Sequence, residues 1–215
     1  MTSPLSSQSR PRRVVVVQAG LGQPSSTRLL GERLAAATRD ALLERGQEAT
    51  VDVVDLREHA HDLANALLTG FPSGALREAV DAVASADAVI AVTPVFQASY
   101  SGLFKTFFDV LDEGSLRGTP VLMAATAGTA RHSLVLEHAM RPMFAYLKAV
   151  TVPTGVFAAS EDWGGGDPGQ GLSTRVEVAA AELADLVSGR AAAAAPARSG
   201  TELADPVPFE ELLAR

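Results

Sequence analysis

Val14-Val-Val-Val-Gln-Ala-Gly20-Leu-Gly-Gln-Pro-Ser25-Ser26-Thr27 passes in one step from an unbroken apolar run to a loop of Gly, Pro and hydroxyl residues. Four consecutive valines suit a strand covered on both faces, the situation of a central strand in a parallel sheet. Beyond the loop, Leu29, Leu30, Leu34, Ala37, Ala41 and Leu42 recur at three- and four-residue intervals. That spacing predicts an amphipathic helix over residues 27–45, stopped by Gly46. Working outward, residues 88–93 (AVIAVT) and 120–125 (PVLMAA) read as two further buried strands, the first cut off by Pro94. Residues 50–56 form a shorter β-rich run, and 154–159 the last strand. Helical spacing recurs over 74–85, 102–111, 134–149 and 172–187, with a kink expected at Pro142. Strands alternating with helices call for right-handed crossovers. The expectation is an α/β fold with a five-stranded parallel sheet in the order 2-1-3-4-5 and helices on both faces.

Composition bounds what such a body does. Of 215 residues, 47% are apolar, enough for one sizeable core. The absence of Cys removes disulfide scaffolds, thiolate metal sites and thiol nucleophiles. A net charge of −7 and few aromatic residues argue against nucleic acid as a partner. No segment has the ~18–20 consecutive apolar residues that a membrane span needs, and the valine run is too short for a secretion signal. A cytoplasmic protein is expected. Residues 1–12 are expected to be a disordered leader, 13–188 the folded domain, and 189–215 a low-complexity linker and tail ending in Phe209-Glu-Glu-Leu-Leu.

With order 2-1-3, strand order reverses between the first and third strands, and ligands bind beyond the carboxyl ends there. Three loops meet at that point. In the first, Ser25, Ser26 and Thr27 lead into a helix whose free amides and dipole favour an anion. The absence of a Walker lysine fits a single terminal phosphate, although an ordinary helix cap would use the same residues. The second is Thr93-Pro-Val-Phe-Gln-Ala-Ser-Tyr-Ser101-Gly102, in which Gly102 allows close approach of a flat ring. The third is Thr126-Ala127-Gly128-Thr129-Ala-Arg-His132, with small residues to lie under a ring and amides to face a carbonyl edge.

The segments TPVFQASYSGLFKTFFDVL and GTPVLMAATAGTARHSLVLEHAMRPMFAYLKA resemble the corresponding stretches of NADPH-dependent FMN reductases. Within that flavodoxin-like family they are most similar to the flavin reductases of two-component monooxygenases, of the alkanesulfonate-utilisation and luciferase-like types. The resemblance runs from about residue 13 to 159. It implies FMN and NADPH (or NADH) as cofactors and a flavin-dependent monooxygenase as the partner receiving reduced FMN. It implies that Ser25, Ser26 and Thr27 hold the FMN phosphate. Pro94, Val95 and Phe96 meet the ring edge and ribityl chain, with Ser101 and Gly102 beside them. Thr126, Gly128 and Thr129 frame the pyrimidine side; Ala127 and His132, in the same loop, are further cofactor-binding candidates, although a lone histidine also serves as a structural or solvated residue. Tyr100 is matched to a tyrosine that forms a π-bulge in the helix after the third strand, at a subunit interface, where it modulates the reaction. Phe96 stands where a tyrosine is common, so that hydroxyl is missing. No catalytic acid–base pair is required, because hydride moves between cofactors.

Other features carry less. Arg28 and Arg131 are candidates for the adenosine 2′-phosphate. His59, His61 and Asp62 have metal-ligand character but lie in a polar loop without further ligands, so no metal is expected. Trp163, beside the Gly-rich 162–167 stretch, is a candidate to cap a neighbouring subunit's flavin. A homodimer or homotetramer is expected. An FMN-bound quinone or azo reductase and a flavodoxin-type electron carrier stand as alternatives.

Overall fold

The computed structural model describes residues 10–163 and 171–189. Seven strands and six α-helices follow one another along the described residues. β1 (Arg12–Gln18), β2 (Ala49–Asp55), β3 (Ala88–Phe96) and β5 (Pro120–Ala127) run parallel in the order β2-β1-β3-β5. The expected order holds for these four positions. The fifth is shared by two short strands, β6 (Val150–Thr151) and β7 (Val156–Ala159), both paired with β5. The sheet is therefore seven-stranded, not five-stranded, because Pro153 interrupts the edge and a two-residue β4 (Ser99–Tyr100) folds back on β3.

The valine run explains the layering. Val14 and Val16 pack into the core beneath α1 (Ser26–Glu44) and α6 (Leu172–Ser188). Val15 and Val17 pack into the opposite core, beneath α2 (Ala60–Thr69), α3 (Gly74–Ala84), α4 (Gly102–Asp109) and α5 (Arg141–Tyr146). A period of two thus buries all four, as a doubly covered strand requires. β3 and β5 alternate likewise, with Ile90 and Leu122 on the α1–α6 side and Val89 and Val121 on the other. α1 comes close to the sheet at Gly31, where a Cβ would meet Val16 Cγ1 at 3.2 Å.

Several expected elements differ. β1 starts at Arg12, inside the expected leader, and Arg10 hydrogen-bonds Asp87 at 2.9 Å. The 190–215 tail and most of the Gly-rich 162–167 stretch lie outside the described residues. The polar loop around His59, His61 and Asp62 is instead the start of α2, an element not foreseen from sequence. Its buried stripe is only Leu63 and Ala66, and Gly70 (φ 81°) closes it. β3 does not stop at Pro94 but continues to Phe96. β1 pairs with β3 only as far as Val92, so Pro94 has a neighbour on one side and its missing N–H costs no bond there.

The helix expected over 134–149 is split. Leu136–Met140 forms a π turn, and α5 follows with Pro142 in its first turn, where a proline nitrogen is tolerated. Arg141 joins this segment to the broken sheet edge. It hydrogen-bonds the Val152 and Pro153 carbonyls at 3.2 and 3.1 Å and grips Glu137 with two bonds of 2.6 and 2.8 Å. From the other face, Glu182 accepts Thr154 N and Oγ1, each at 2.8 Å.

The hydrogen bond from Arg141 holds the Glu137 carboxyl below its ordinary value, and the same bond raises the Arg141 guanidinium. A lowered folded-state carboxyl stabilises fully above the ordinary glutamate value near 4.5 and loses that contribution as pH falls through the lowered value. Glu137→Gln should therefore lower stability at neutral pH by about 0.5–1 kcal/mol, the upper range for a half-exposed pair. Thermal melts of the two proteins should converge below pH 4; an equal gap at all pH values would contradict this linkage.

Candidate functional site

α1 leaves β1 toward one face of the sheet and α4 leaves β3 toward the other, so the crevice falls between the carboxyl ends of β1 and β3. A cleft of about 270 Å³ sits at that point. The start of α1 forms one wall, Pro94 to Phe96 a second, and Thr126 to Gly128 a third. The structure thus brings together Ser25, Ser26, Thr27, Pro94, Val95, Phe96, Thr126, Ala127 and Gly128 from three distant parts of the chain.

The α1 wall is built around Ser25, the N-cap, whose Oγ accepts the Arg28 amide at 3.2 Å. The amides of Ser26 and Thr27, at the first two helical positions, have no carbonyl of their own helix within reach. They add to the positive end of the α1 dipole at the cleft. Gly20 makes this cap possible, because a Cβ there would stand 2.2 Å from Ser25 Oγ. Thr27 differs from its neighbours. It is buried, and its hydroxyl lies 2.8 Å from that of Thr126, tying the start of α1 to the end of β5 across β3. Its amide, in the first turn of α1, stays without a helical carbonyl partner.

The second wall is apolar. Phe96 is 45% exposed, and Leu21, from the first loop, faces the cleft with it. Phe96 is presented by the β3–β4 hairpin, whose turn residues Gln97 and Ala98 have φ of 48° and 66°. Left-handed non-glycine residues of this kind hold strain and cluster at functional sites. Thr93 anchors the hairpin: its Oγ1 accepts the Ser101 amide at 3.0 Å and donates to the Pro94 carbonyl at 2.9 Å. On the third wall, Gly128 has open space where a Cβ would point.

These features fit FMN. Hydroxyl and amide donors suit its phosphate, exposed apolar side chains suit the ring, and Gly128 leaves room for a flat group. The cleft is smaller than the roughly 300–1,000 Å³ that engulfs a ligand, so much of a bound flavin would stay exposed.

Four expected residues fall outside these walls. Ser101 is buried as the cap of α4, accepting the Phe104 amide at 3.2 Å. Gly102 opens that helix, exposed and away from the cleft. Thr129 and His132 lie exposed at and within the 3₁₀ turn Ala130–His132, beyond Gly128. Tyr100 is not in a helix. It lies in β4, paired with Val95, and stacks against Phe104 with ring centroids 5.9 Å apart. The π turn belongs to the segment after β5 and contains His138, which borders the same groove as Tyr100. Trp163 packs beneath Arg33 of α1, 5.0 Å from guanidinium to ring. Leu21, Gly22, Pro24 and Ser160 join the cleft without having been singled out from sequence. Their signal was position alone, each being in a loop after the carboxyl end of a strand.

Two larger grooves, of about 740 and 750 Å³, lie between α1 and α6 and between α4 and α5. Neither is at the switch point. Among the described residues no cluster of three or more His, Cys, Asp or Glu could hold a metal, and no helix is long and apolar enough to cross a membrane.

Residues 12–164 match the family model described as NADPH-dependent FMN reductase. The chain is 38% identical to an FMN reductase (NADPH) of Pseudomonas aeruginosa, across 84% of this chain and 95% of that one. It is 40% identical to the NADH-dependent FMN reductase SfnF of Pseudomonas putida, across 69% of this chain and 78% of that one. Among solved structures, an oxidoreductase from Corynebacterium diphtheriae superposes with a TM-score of 0.82 at 45% identity, covering 85% of this chain and all of that one.

The Thr27–Thr126 pair generates a stability test. Thr126→Val leaves the buried Thr27 hydroxyl without its partner and should cost about 1–3 kcal/mol. Removing both hydroxyls, as Thr27→Val with Thr126→Val, should cost clearly less than the two single changes added together. Denaturant unfolding of the four proteins measures this; strict additivity would show that the hydroxyls do not interact.

Proposed function

Since the chain belongs to the family of NADPH-dependent FMN reductases, we propose that its switch-point cleft binds FMN as an exchangeable substrate and yields reduced FMN for a flavin-dependent monooxygenase. NAD(P)H-dependent reduction of FMN makes the chain an oxidoreductase whose cofactors are FMN and NADPH or NADH. The exchangeable reading rests chiefly on one observation, the small and open cleft lined by hydroxyls, amides and apolar side chains.

Bound FMN supplies the redox chemistry by accepting a hydride from the nicotinamide ring. The chain's own residues bind and orient. Ser25 Oγ and the amides of Ser26 and Thr27 hold the phosphate, with the α1 dipole behind them. Pro94, Val95 and Phe96 support the ring edge and ribityl chain, and Thr126, Ala127 and Gly128 the pyrimidine side. Among the described residues no Arg or Lys lines the cleft, and Arg28, just after Thr27, is bound to Glu32 at 2.8 Å, which holds it above its ordinary value. Neutral donors bind a phosphate less tightly than charged ones, which suits a flavin that must leave. Thr129 and His132 follow Gly128 just beyond the third wall, Ser101 and Gly102 belong to the start of α4, and Tyr100 acts on the arrangement only through β4. The working form in this reading is a homodimer or homotetramer, which would cover the exposed Leu134 and Tyr146, 62% and 85% exposed.

Steady-state kinetics with added flavin test the reading. NADPH or NADH oxidation should saturate with free FMN in a sequential pattern. Ser25→Ala should raise the KM for FMN about tenfold with little change in kcat. Flavin retained through gel filtration, with ping-pong transfer to a quinone, would favour a quinone reductase. Reduction by neither nucleotide would favour an electron carrier.

A further inference from the structure

Relatives of this chain carry names specifying either NADPH or NADH, so family membership leaves the nucleotide open. The distribution of charge around the cleft supplies a choice. On the α1 side, the exposed Arg28 is hydrogen-bonded to Glu32, and Asp55 and Glu58 lie near enough to act on its charge. An incoming phosphate dianion would meet three carboxylates there. Arg33, one turn further along α1, is engaged over Trp163.

The opposite side is different. β5 leaves the cleft through Gly128 and Thr129 and enters the 3₁₀ turn Ala130–His132. Arg131 and His132 are both exposed on this turn. Among the described residues no carboxylate is paired with Arg131, and neither side chain makes a hydrogen bond. Next to the residues that line the cleft, the described chain therefore carries a neutralised cation just after Thr27 and, three residues beyond Gly128, one with no carboxylate partner among the described residues.

Resting on the function proposed above, we infer that Arg131, with His132 beside it, binds the 2′-phosphate of NADPH and gives this chain a preference for NADPH over NADH. The adenosine end of the dinucleotide lies toward the 130–132 turn, and the nicotinamide reaches back over the cleft. Arg28 takes no part. NADH lacks the phosphate, so the contact is differential between the two nucleotides and acts on selectivity directly. A charge-assisted hydrogen bond of ordinary strength corresponds to about ten- to hundredfold in affinity.

The test uses the full chain and two readouts. With saturating FMN, kcat/KM for NADPH should exceed that for NADH by about tenfold or more. Arg131→Gln should bring the ratio close to one through a raised KM for NADPH, whereas Arg28→Gln should keep it and Arg131→Lys should restore most of it. In calorimetry without FMN, 2′,5′-ADP should bind the parent protein more tightly than 5′-AMP, and this difference should disappear in Arg131→Gln. Because Arg131 is exposed, the variant's melting temperature should match the parent's. The inference is overturned if the parent uses both nucleotides equally, or if Arg131→Gln keeps the preference. Should neither nucleotide be oxidised with FMN, the function proposed above fails, and the 2′,5′-ADP titration still decides the role of Arg131.

Discussion

The opposite departures of α1 and α4 from adjacent strands are the constraint on which the site depends. β1 and β3 are hydrogen-bonded neighbours, yet one sends its crossover to the α1–α6 layer and the other to the α2–α5 layer. A gap opens between the two at their carboxyl ends because no helix can fill it from either side. The doubly buried valines of β1 make this arrangement possible, since a strand with one polar face could not be covered twice. The cleft is thus a consequence of how the flavodoxin-like sheet is wound. Its side chains decide what it holds.

Those side chains divide labour in a way that residue type alone does not reveal. Ser25 and Thr27 are both hydroxyl residues at the start of α1, but Ser25 Oγ caps the helix beside the cleft, while Thr27 Oγ1 is buried against Thr126. Thr93 Oγ1 is similarly committed, accepting the Ser101 amide, and Ser101 Oγ accepts the Phe104 amide. Four of the hydroxyls near the site, those of Thr27, Thr126, Thr93 and Ser101, therefore serve as internal fasteners, holding α1 to β5, joining β3 to the start of α4 and capping that helix. The donors left at the cleft come from the backbone and from Ser25. A helix start of this kind attracts an anion without basic side chains, so an acidic chain carries it without contradiction.

Much of the fold was legible because its signals are strong and redundant. Four valines, AVIAVT and PVLMAA are long apolar runs, and each turned out to be a core strand. What escaped was weakly encoded. α2 buries only Leu63 and Ala66 and exposes Leu67 and Leu68, so its periodicity is blurred. The continuation of β3 through Pro94 depended on where β1 ends, which no local pattern records. At the site, the three loops were legible from topology, but the hidden hydroxyl pairs were not, because Thr27 and Thr126 are 99 residues apart. The resemblance placed Tyr100 in a helix, whereas the π turn formed near His138, in the segment that carries Pro142.

The hairpin at the end of β3 shows why that misplacement matters physically. Gln97 and Ala98 adopt left-handed conformations that usually call for Gly or Asn, at a cost of about 1 kcal/mol or more each. Such a turn persists only where its surroundings over-determine it. Here Thr93 fixes the Ser101 amide, Ser101 caps α4, and Tyr100 packs on Phe104 within that helix. All three act on the return strand, and together they leave Phe96 projecting at the mouth of the cleft. Tyr100 therefore bears on the apolar wall of the cleft from behind, by bracing the hairpin that presents Phe96. Its aromatic ring is part of the scaffold's grip on Phe96, which explains how a residue outside the cleft comes to lie so near the motif that defines it.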